Sequence, residues 1–172
     1  MRLTNRTLSF TLRPAVAADA PVILQCIRGL AAYERLADQA VGTEELIRET
    51  LFGERPAAEV VMAFDGEEPA GFALFFQNYS TFLTRPGLYL EDLFVFPRFR
   101  GRGLGKRLLA HLARIAVDRR CGRFEWAVLD WNTDAIRVYE GVGARPASDW
   151  ITYRLTGEAL TRLAEQGRAA GD

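Results

Sequence analysis

The sequence predicts a single mixed α/β domain, one sheet flanked by helices, and three observations predict it. Its 172 residues suffice for one core and are too few for two full enzyme domains. Hydrophobic residues make up 49% and charged residues 26%, which supplies a core and argues against disorder. Apolar residues recur at helical spacing in some segments and as short branched or aromatic runs in others, in the order β-α-α-β-β-β-α-β-α-β before a terminal helix.

Leu8 to Arg13 is a short β-type run ended by Pro14. Asp19 stands where an N-cap belongs for a helix from Ala20 to Glu34, with Val22, Ile23, Cys26, Ile27, Leu30 and Ala31 on one face. Thr43 followed by Glu44 and Glu45 starts a second, shorter helix that ends near Gly53. Glu59 to Phe64 and Ala70 to Phe76 flank Asp65-Gly66-Glu67-Glu68-Pro69 and read as an antiparallel hairpin. A loop from Asn78 to Gly87 then leads into a central strand, Leu88 to Phe96. From Leu104 the residues Leu108, Leu112, Ile115 and Ala116 line one face of a helix that ends near Cys121-Gly122. Phe124 to Leu129 is strand-like, Asp134 to Val142 helix-like, and Trp150 to Leu155 reads as a final strand. Thr156 caps a terminal helix, with Gly167 to Asp172 as a frayed tail.

Composition narrows the partners. Lys+Arg and Asp+Glu each total 22, so the chain lacks the global positive field by which proteins hold nucleic acid. Cys26 and Cys121 lie far apart and His111 is the only histidine, so neither a disulfide framework nor a metal site is expected. Cys26 falls on the apolar face of the first helix, where it fills core. No run approaches the roughly 20 apolar residues of a membrane span, and the N-terminus enters no signal-like apolar region, so a cytoplasmic address and no membrane contact are expected.

The segment that carries chemistry is Arg98-Phe99-Arg100-Gly101-Arg102-Gly103-Leu104-Gly105-Lys106-Arg107, between a strand and a helix. It holds five cations, three glycines and no acid. Glycines can adopt positive φ and present no Cβ, so successive amides can converge on an anion at the positive end of the following helix. A phosphate suits that place. The dinucleotide fingerprint fails because Lys106 stands where its last glycine is needed. The nucleotide-triphosphate loop fails because Arg100 and Arg107 replace its first glycine and its hydroxyl. A glycine turn that merely caps a helix remains the plainer alternative.

Arg100-x-x-Gly103-x-Gly105, after a strand and opening a helix, resembles the acetyl-CoA pyrophosphate loop of the GNAT N-acetyltransferases. Leu88-Tyr89-Leu90-Glu91-Asp92-Leu93-Phe94-Val95, Ala127-Val128-Leu129-Asp130-Trp131-Asn132, Tyr139 and Gly143-Ala144 extend the likeness to the diamine acetyltransferase branch, including its thialysine-type enzymes. The resemblance implies a mostly antiparallel sheet splayed at the strand Leu88 to Phe96. It places pantetheine against Leu93-Phe94-Val95, with Leu93 and Val95 offering main-chain groups. The diphosphate would lie on the amides of Arg100, Gly101, Arg102, Gly103, Leu104, Gly105 and Lys106, with nearby cations for the 3′-phosphate. Asn132 and Tyr139, seven residues apart, would share a helix face toward the cofactor. A homodimer is implied as well.

Acyl transfer from a thioester to an amine needs a base, because an alkylammonium of pKa about 10 is not nucleophilic, and an acid for the departing thiolate. By resemblance Glu91 is the base and Tyr139 the acid. Glu34, Tyr79, Glu91 and Asp92 would meet a cationic acceptor, and Glu44 and Glu45 could add to an acidic mouth. Plainer readings stand beside these: Glu91 and Asp92 alternate across a strand, so one could be solvated, and Tyr139 could be a core aromatic. Tyr79-Ser80-Thr81 resembles thialysine-type sequences, since polyamine-selective members carry an acid where Ser80 stands. Ser148-Asp149-Trp150 departs from the family's Glu-Gly-Trp. The expected activity is therefore direct acetylation of a small cationic metabolite, lysine-like diamino acids first and polyamines second. A non-catalytic acetyl-CoA sensor is the competing class.

Overall fold

The computed structural model describes residues 10–169. The chain divides into two compact units, Met1–Asp130 and Trp131–Asp172. The first carries β1 (Phe10–Pro14), α1 (Ala20–Tyr33), α2 (Glu44–Phe52), β2 (Glu59–Asp65), β3 (Glu68–Ser80), β4 (Arg85–Val95), α3 (Leu104–Asp118) and β5 (Phe124–Trp126). The second carries α4 (Thr133–Gly141) and α5 (Gly157–Ala169). Leu8 and Ser9 of the expected first strand, and the end of the expected tail, lie outside the described residues.

The sheet runs β1-β2-β3-β4-β5 in sequence order. Its first four strands are antiparallel, and β5 joins parallel to β4 over three pairs, Leu88 with Phe124 to Leu90 with Trp126. α1 and α2 cover one face, where Ile23, Leu24, Cys26 and Ile47 meet Val60, Met62, Phe72 and Phe94 in one buried cluster. α1 comes close at Gly29, where a Cβ would stand 2.6 Å from Phe94 Cζ. α3 covers the other face. Leu93 Cδ2 lies 3.8 Å from the Cβ position of Gly105, and the Arg119 guanidinium after the helix lies 5.8 Å from the Phe75 ring centroid. Burying Leu104, Leu108, Leu109, Leu112 and Ala116 stabilises this packing by roughly 1.5–3 kcal/mol for each large side chain.

Several expectations are corrected. Asn78 to Gly87 is not a loop: β3 continues to Ser80 and β4 begins at Arg85, because Gln77, Asn78 and Tyr79 find ladder partners in Leu88, Gly87 and Pro86. Main-chain pairing satisfies the backbone there whatever the polarity of the side chains. The turn is closed by Ser80 Oγ, which accepts from the Leu83 amide at 3.3 Å. β5 stops at Trp126, short of the expected Leu129. Between Gly141 and Gly157 there is no helix or strand, so Trp150 to Leu155 is not a strand. Alternating side chains make a strand only where a partner ladder takes the main-chain groups, and this segment has none among the described strands.

Asp19 does not cap α1. Its carboxylate accepts from the Val16 amide at 2.8 Å and receives two bonds from Arg13, at 2.7 and 2.8 Å, tying β1 to the turn before α1. The Arg13 hydrogen bonds hold the Asp19 carboxyl below its ordinary range. Thr43 does cap α2, accepting from the Leu46 amide at 3.3 Å. Cys26 is fully buried, and burial pushes its thiol up to about 12, so it supplies no thiolate.

Candidate active site

The glycine segment opens α3 as its spacing suggests. Gly103 is the N-cap, at φ 79° and ψ 5°, and Gly101 has φ 72°. Both sit in the left-handed region, and a Cβ at either would meet nothing within 4 Å. The first helical donor is the Arg107 amide, which donates to Gly103 O at 3.0 Å. The amides of Gly103 to Lys106 are the orphan donors of the helix start, and those of Gly101 and Arg102 precede them in the turn. This cradle fits a diphosphate. Arg100 is not part of it, because its amide donates to Pro97 O at 3.2 Å and closes the turn Pro97–Phe99.

Three of the five cations are struts for the loop. Arg98 pairs with Glu68 at 2.6 Å, and Arg102 with Asp65 at 2.8 Å while lying over the rings of Phe10 and Phe99. Arg100 donates from Nε to Val95 O at 2.9 Å and stacks over Tyr33 and Phe94. Lys106 and Arg107 are exposed at the helix start and enter none of the described ion pairs. Sequence reasoning missed Tyr33, Asp65 and Glu68. No local pattern marks them, since they reach the loop from other elements.

The expected catalytic strand carries a β-bulge. β3 and β4 pair Leu74 with Asp92 and then Phe75 with Leu90, which leaves Glu91 as the extra residue. The bulge reverses the parity of β4. Leu90 lies opposite Phe75 on the α3 face, yet two residues on Asp92 shares the α1 face with its partner Leu74 and with Phe94, which are packed against the α1 cluster. Leu93 then faces α3. The Phe96 amide donates to Ala70 O at 3.0 Å. By alternation Phe94 and Asp92 turn their main chain to β3, whereas Leu93 and Val95 turn theirs to the side where β5 has already ended. The sheet therefore opens at Glu91. Leu93 and the Val95 amide line the open side, Val95 O being held by Arg100. Phe94 does not belong to that edge: its ring is core, 4% exposed, and its main chain is in the ladder.

Glu91 is exposed on the bulge and Asp92 half-buried. Burial, then the charges of Glu91 and Glu34, pushes Asp92 up to about 6. Glu34, at the end of α1, is raised by burial. Glu34 and Glu91 thus lie near enough for their charges to act on Asp92. Tyr79 is elsewhere, paired with Pro86 near the hairpin tip, about 17 Å along the ladder from Leu74–Asp92 at 3.4 Å per residue. Glu44 and Glu45 sit in the first turn of α2, and Glu44 pairs with Arg48 at 3.0 Å.

In the second unit Asn132 precedes α4 and caps it, its Oδ1 accepting from the Ala135 amide at 3.3 Å. Asn132 thus stands at the N-cap, just ahead of the helix that carries Tyr139. Tyr139 lies in the last turn of α4, its carbonyl accepting from the Val142 and Ala144 amides.

A glycine cradle at a helix start, beside a strand whose outer edge opens at a bulge, suits the class of α/β enzyme that lays a phosphate-bearing cosubstrate along that strand. The chain belongs to the acetyltransferase (GNAT) family, whose model matches residues 29–144. That family transfers acetyl from acetyl-CoA to amines, so the protein is an acetyl-CoA-dependent N-acetyltransferase. The chain is 40% identical to the thialysine N-epsilon-acetyltransferase of Sus scrofa over 167 residues, covering 91% of this chain and 98% of that one. It is 33% identical to the L-ornithine N5-acetyltransferase of Arabidopsis thaliana, covering 93% and 90%. Among solved structures, an integron cassette protein from the mobile metagenome of V. cholerae superposes with a TM-score of 0.78 at 26% identity, covering 91% and 98%.

Proposed function

We propose that the protein acetylates the distal primary amine of a lysine-like diamino acid. The observation that carries this reading is that the charges of Glu91 and Glu34 act on a half-buried Asp92 where the outer edge of β4 opens. Three carboxylates in a partly desolvated corner favour a cation strongly, although the whole chain is neutral. The relatives that act on thialysine and ornithine take acceptors of that chemistry.

Each group has a part. The amides from Gly101 to Lys106 hold the diphosphate, Lys106 and Arg107 meet the remaining phosphate, and the main chain of Leu93 and Val95 orients pantetheine. When bound, acetyl-CoA supplies an activated acetyl thioester. The Glu91–Asp92 carboxylate pair removes a proton from the acceptor's ammonium, and Glu34 helps to hold its charge. Tyr139 gives a proton to the departing sulfur, a role it takes from the motif it belongs to. We propose a single acetyltransferase domain for the chain, a reading supported by a family match over residues 29–144. We propose as well a cytoplasmic homodimer, which sedimentation would reveal as twice the mass of the chain. None of the described helices is long and apolar enough to cross a membrane.

Polyamines are the second reading. Ser80 stands where polyamine-selective members carry an acid, and it is 4% exposed with its hydroxyl closing a turn, so it offers a polyamine no charge. An amine panel with released CoA as readout tests the choice. Thialysine, lysine and ornithine should turn over well ahead of spermidine and spermine. The reverse order would move the assignment to polyamines, and no turnover on any amine would leave a CoA-binding sensor.

A further inference from the structure

We infer that Asp92, and not the neighbouring Glu91 to which family resemblance points, is the group that takes the proton from the incoming ammonium, while Glu91 and Glu34 hold the positive charge beside it. This rests on the amine-acetylating reading above and divides the labour within that site.

The bulge is the geometric ground. Were Glu91 paired in regular register with Leu74, without a bulge, Asp92 would keep the parity of Leu88 and Leu90 and point toward α3, where a carboxylate would enter the core. With the bulge, Asp92 turns to the α1 face beside Glu34. It sits one residue before Leu93, the first residue whose main chain faces the opened side of the sheet. Glu91 projects into solvent, where water screens it, whereas Asp92 is half-buried.

The surroundings set the proton affinity. From α1 comes Glu34; from β4 itself, Glu91; from β3, only the apolar Leu74 opposite. The nearby loop contributes Arg100, whose guanidinium is engaged with Val95 O and the Tyr33 and Phe94 rings. Burial and two negative neighbours raise Asp92 to about 6. A base works best when its proton affinity lies near the operating pH, and Asp92 meets that condition while remaining charged above pH 6. The step balances: one N–H bond of the ammonium breaks and one O–H bond forms on the Asp92 carboxylate. The electron pair stays on nitrogen, which is left neutral and nucleophilic, and Asp92 later yields its proton to water.

The test pairs kinetics with a measurement that needs no turnover. The kcat/KM profile of the wild type should fall on the acid side with an apparent pKa about 6. Asp92→Asn should lose that limb and roughly 10²–10³-fold in kcat, with KM for the amine changed only a few-fold. Glu91→Gln should raise KM more than it lowers kcat and keep the limb, moved to lower pH. In the CoA-free protein, a ¹³C NMR titration of the Asp92 carboxyl should have its midpoint near 6 and shift downward in Glu34→Gln. Turnover of Asp92→Asn within about threefold of wild type, loss of the limb in Glu91→Gln instead, or a midpoint at the ordinary aspartate value of about 4 would each overturn the assignment. A wild type that acetylates no amine defeats the amine-acetylating reading, while the carboxyl titration still reports on Asp92.

Discussion

Gly103 and Gly105 stand two residues apart in the cradle, and the backbone asks different things of them. Gly103 holds φ 79°, which a β-branched residue adopts only with strain, so Gly103→Val should weaken CoA binding at least tenfold by calorimetry and lower the melting temperature. Gly105 is already helical, and a Cβ there meets only Leu93 Cδ2 at 3.8 Å, an ordinary contact. Gly105→Ala should bind CoA normally and gain about 0.5–1 kcal/mol in denaturant unfolding, because alanine loses less conformational freedom in a helix. Tyr139→Phe isolates one oxygen: kcat should fall by roughly 10²-fold or more with CoA affinity unchanged, if the phenol serves the leaving sulfur. Near-normal turnover would remove Tyr139 from the chemistry.

Elements are held to the sheet by a few close approaches, and two of them make predictions. At Gly29 a methyl group would stand 2.6 Å from the Phe94 ring, which is 4% exposed and packed edge-on to Phe96. Gly29→Ala should therefore cost about 1–3 kcal/mol through overpacking, partly offset by helix propensity, and should raise KM for the amine as β4 shifts. The Arg13–Asp19 pair ties β1 to the turn before α1. Since Arg13 regains water when its partner is lost, Asp19→Ala should cost only about 1–2 kcal/mol at neutral pH. The Asp19 carboxyl is held below its ordinary range, so its contribution is complete above the unfolded-state pKa of about 4 and disappears as pH falls through the lowered value. Urea unfolding of both proteins should show the gap closing only in that acid window.

For the whole molecule, charge is balanced at 22 against 22, so no long-range field draws an anion in. On the proposed reading, attraction for CoA is local to the exposed cations at the start of α3. Raising salt should weaken CoA binding despite net neutrality, and the double change Lys106→Ala with Arg107→Ala should flatten that dependence as well as lower affinity. An unchanged salt slope would assign the phosphates to other groups.

How far the sequence reached follows from what each feature depends on. The glycine spacing and the cation run marked the cradle, and apolar periodicity set α1, α2 and α3 within a few residues, since turn chemistry and helical faces arise from neighbours along the chain. The inertness of Cys26 was legible for the same reason. Which of the loop's arginines are struts was not, because Asp65 meets Arg102 from 37 residues away. The early end of β5, the extra length of β3 and β4, and the unpaired Trp150 to Leu155 likewise depend on ladder partners. Above all, the sequence put Glu91 and Asp92 on a strand, but only the pairing of β4 with β3 introduced the bulge that turns Asp92 toward Glu34. Local spacing determines what a segment can form; the register between strands determines which face a side chain takes, and hence its charge neighbours and its affinity for a proton.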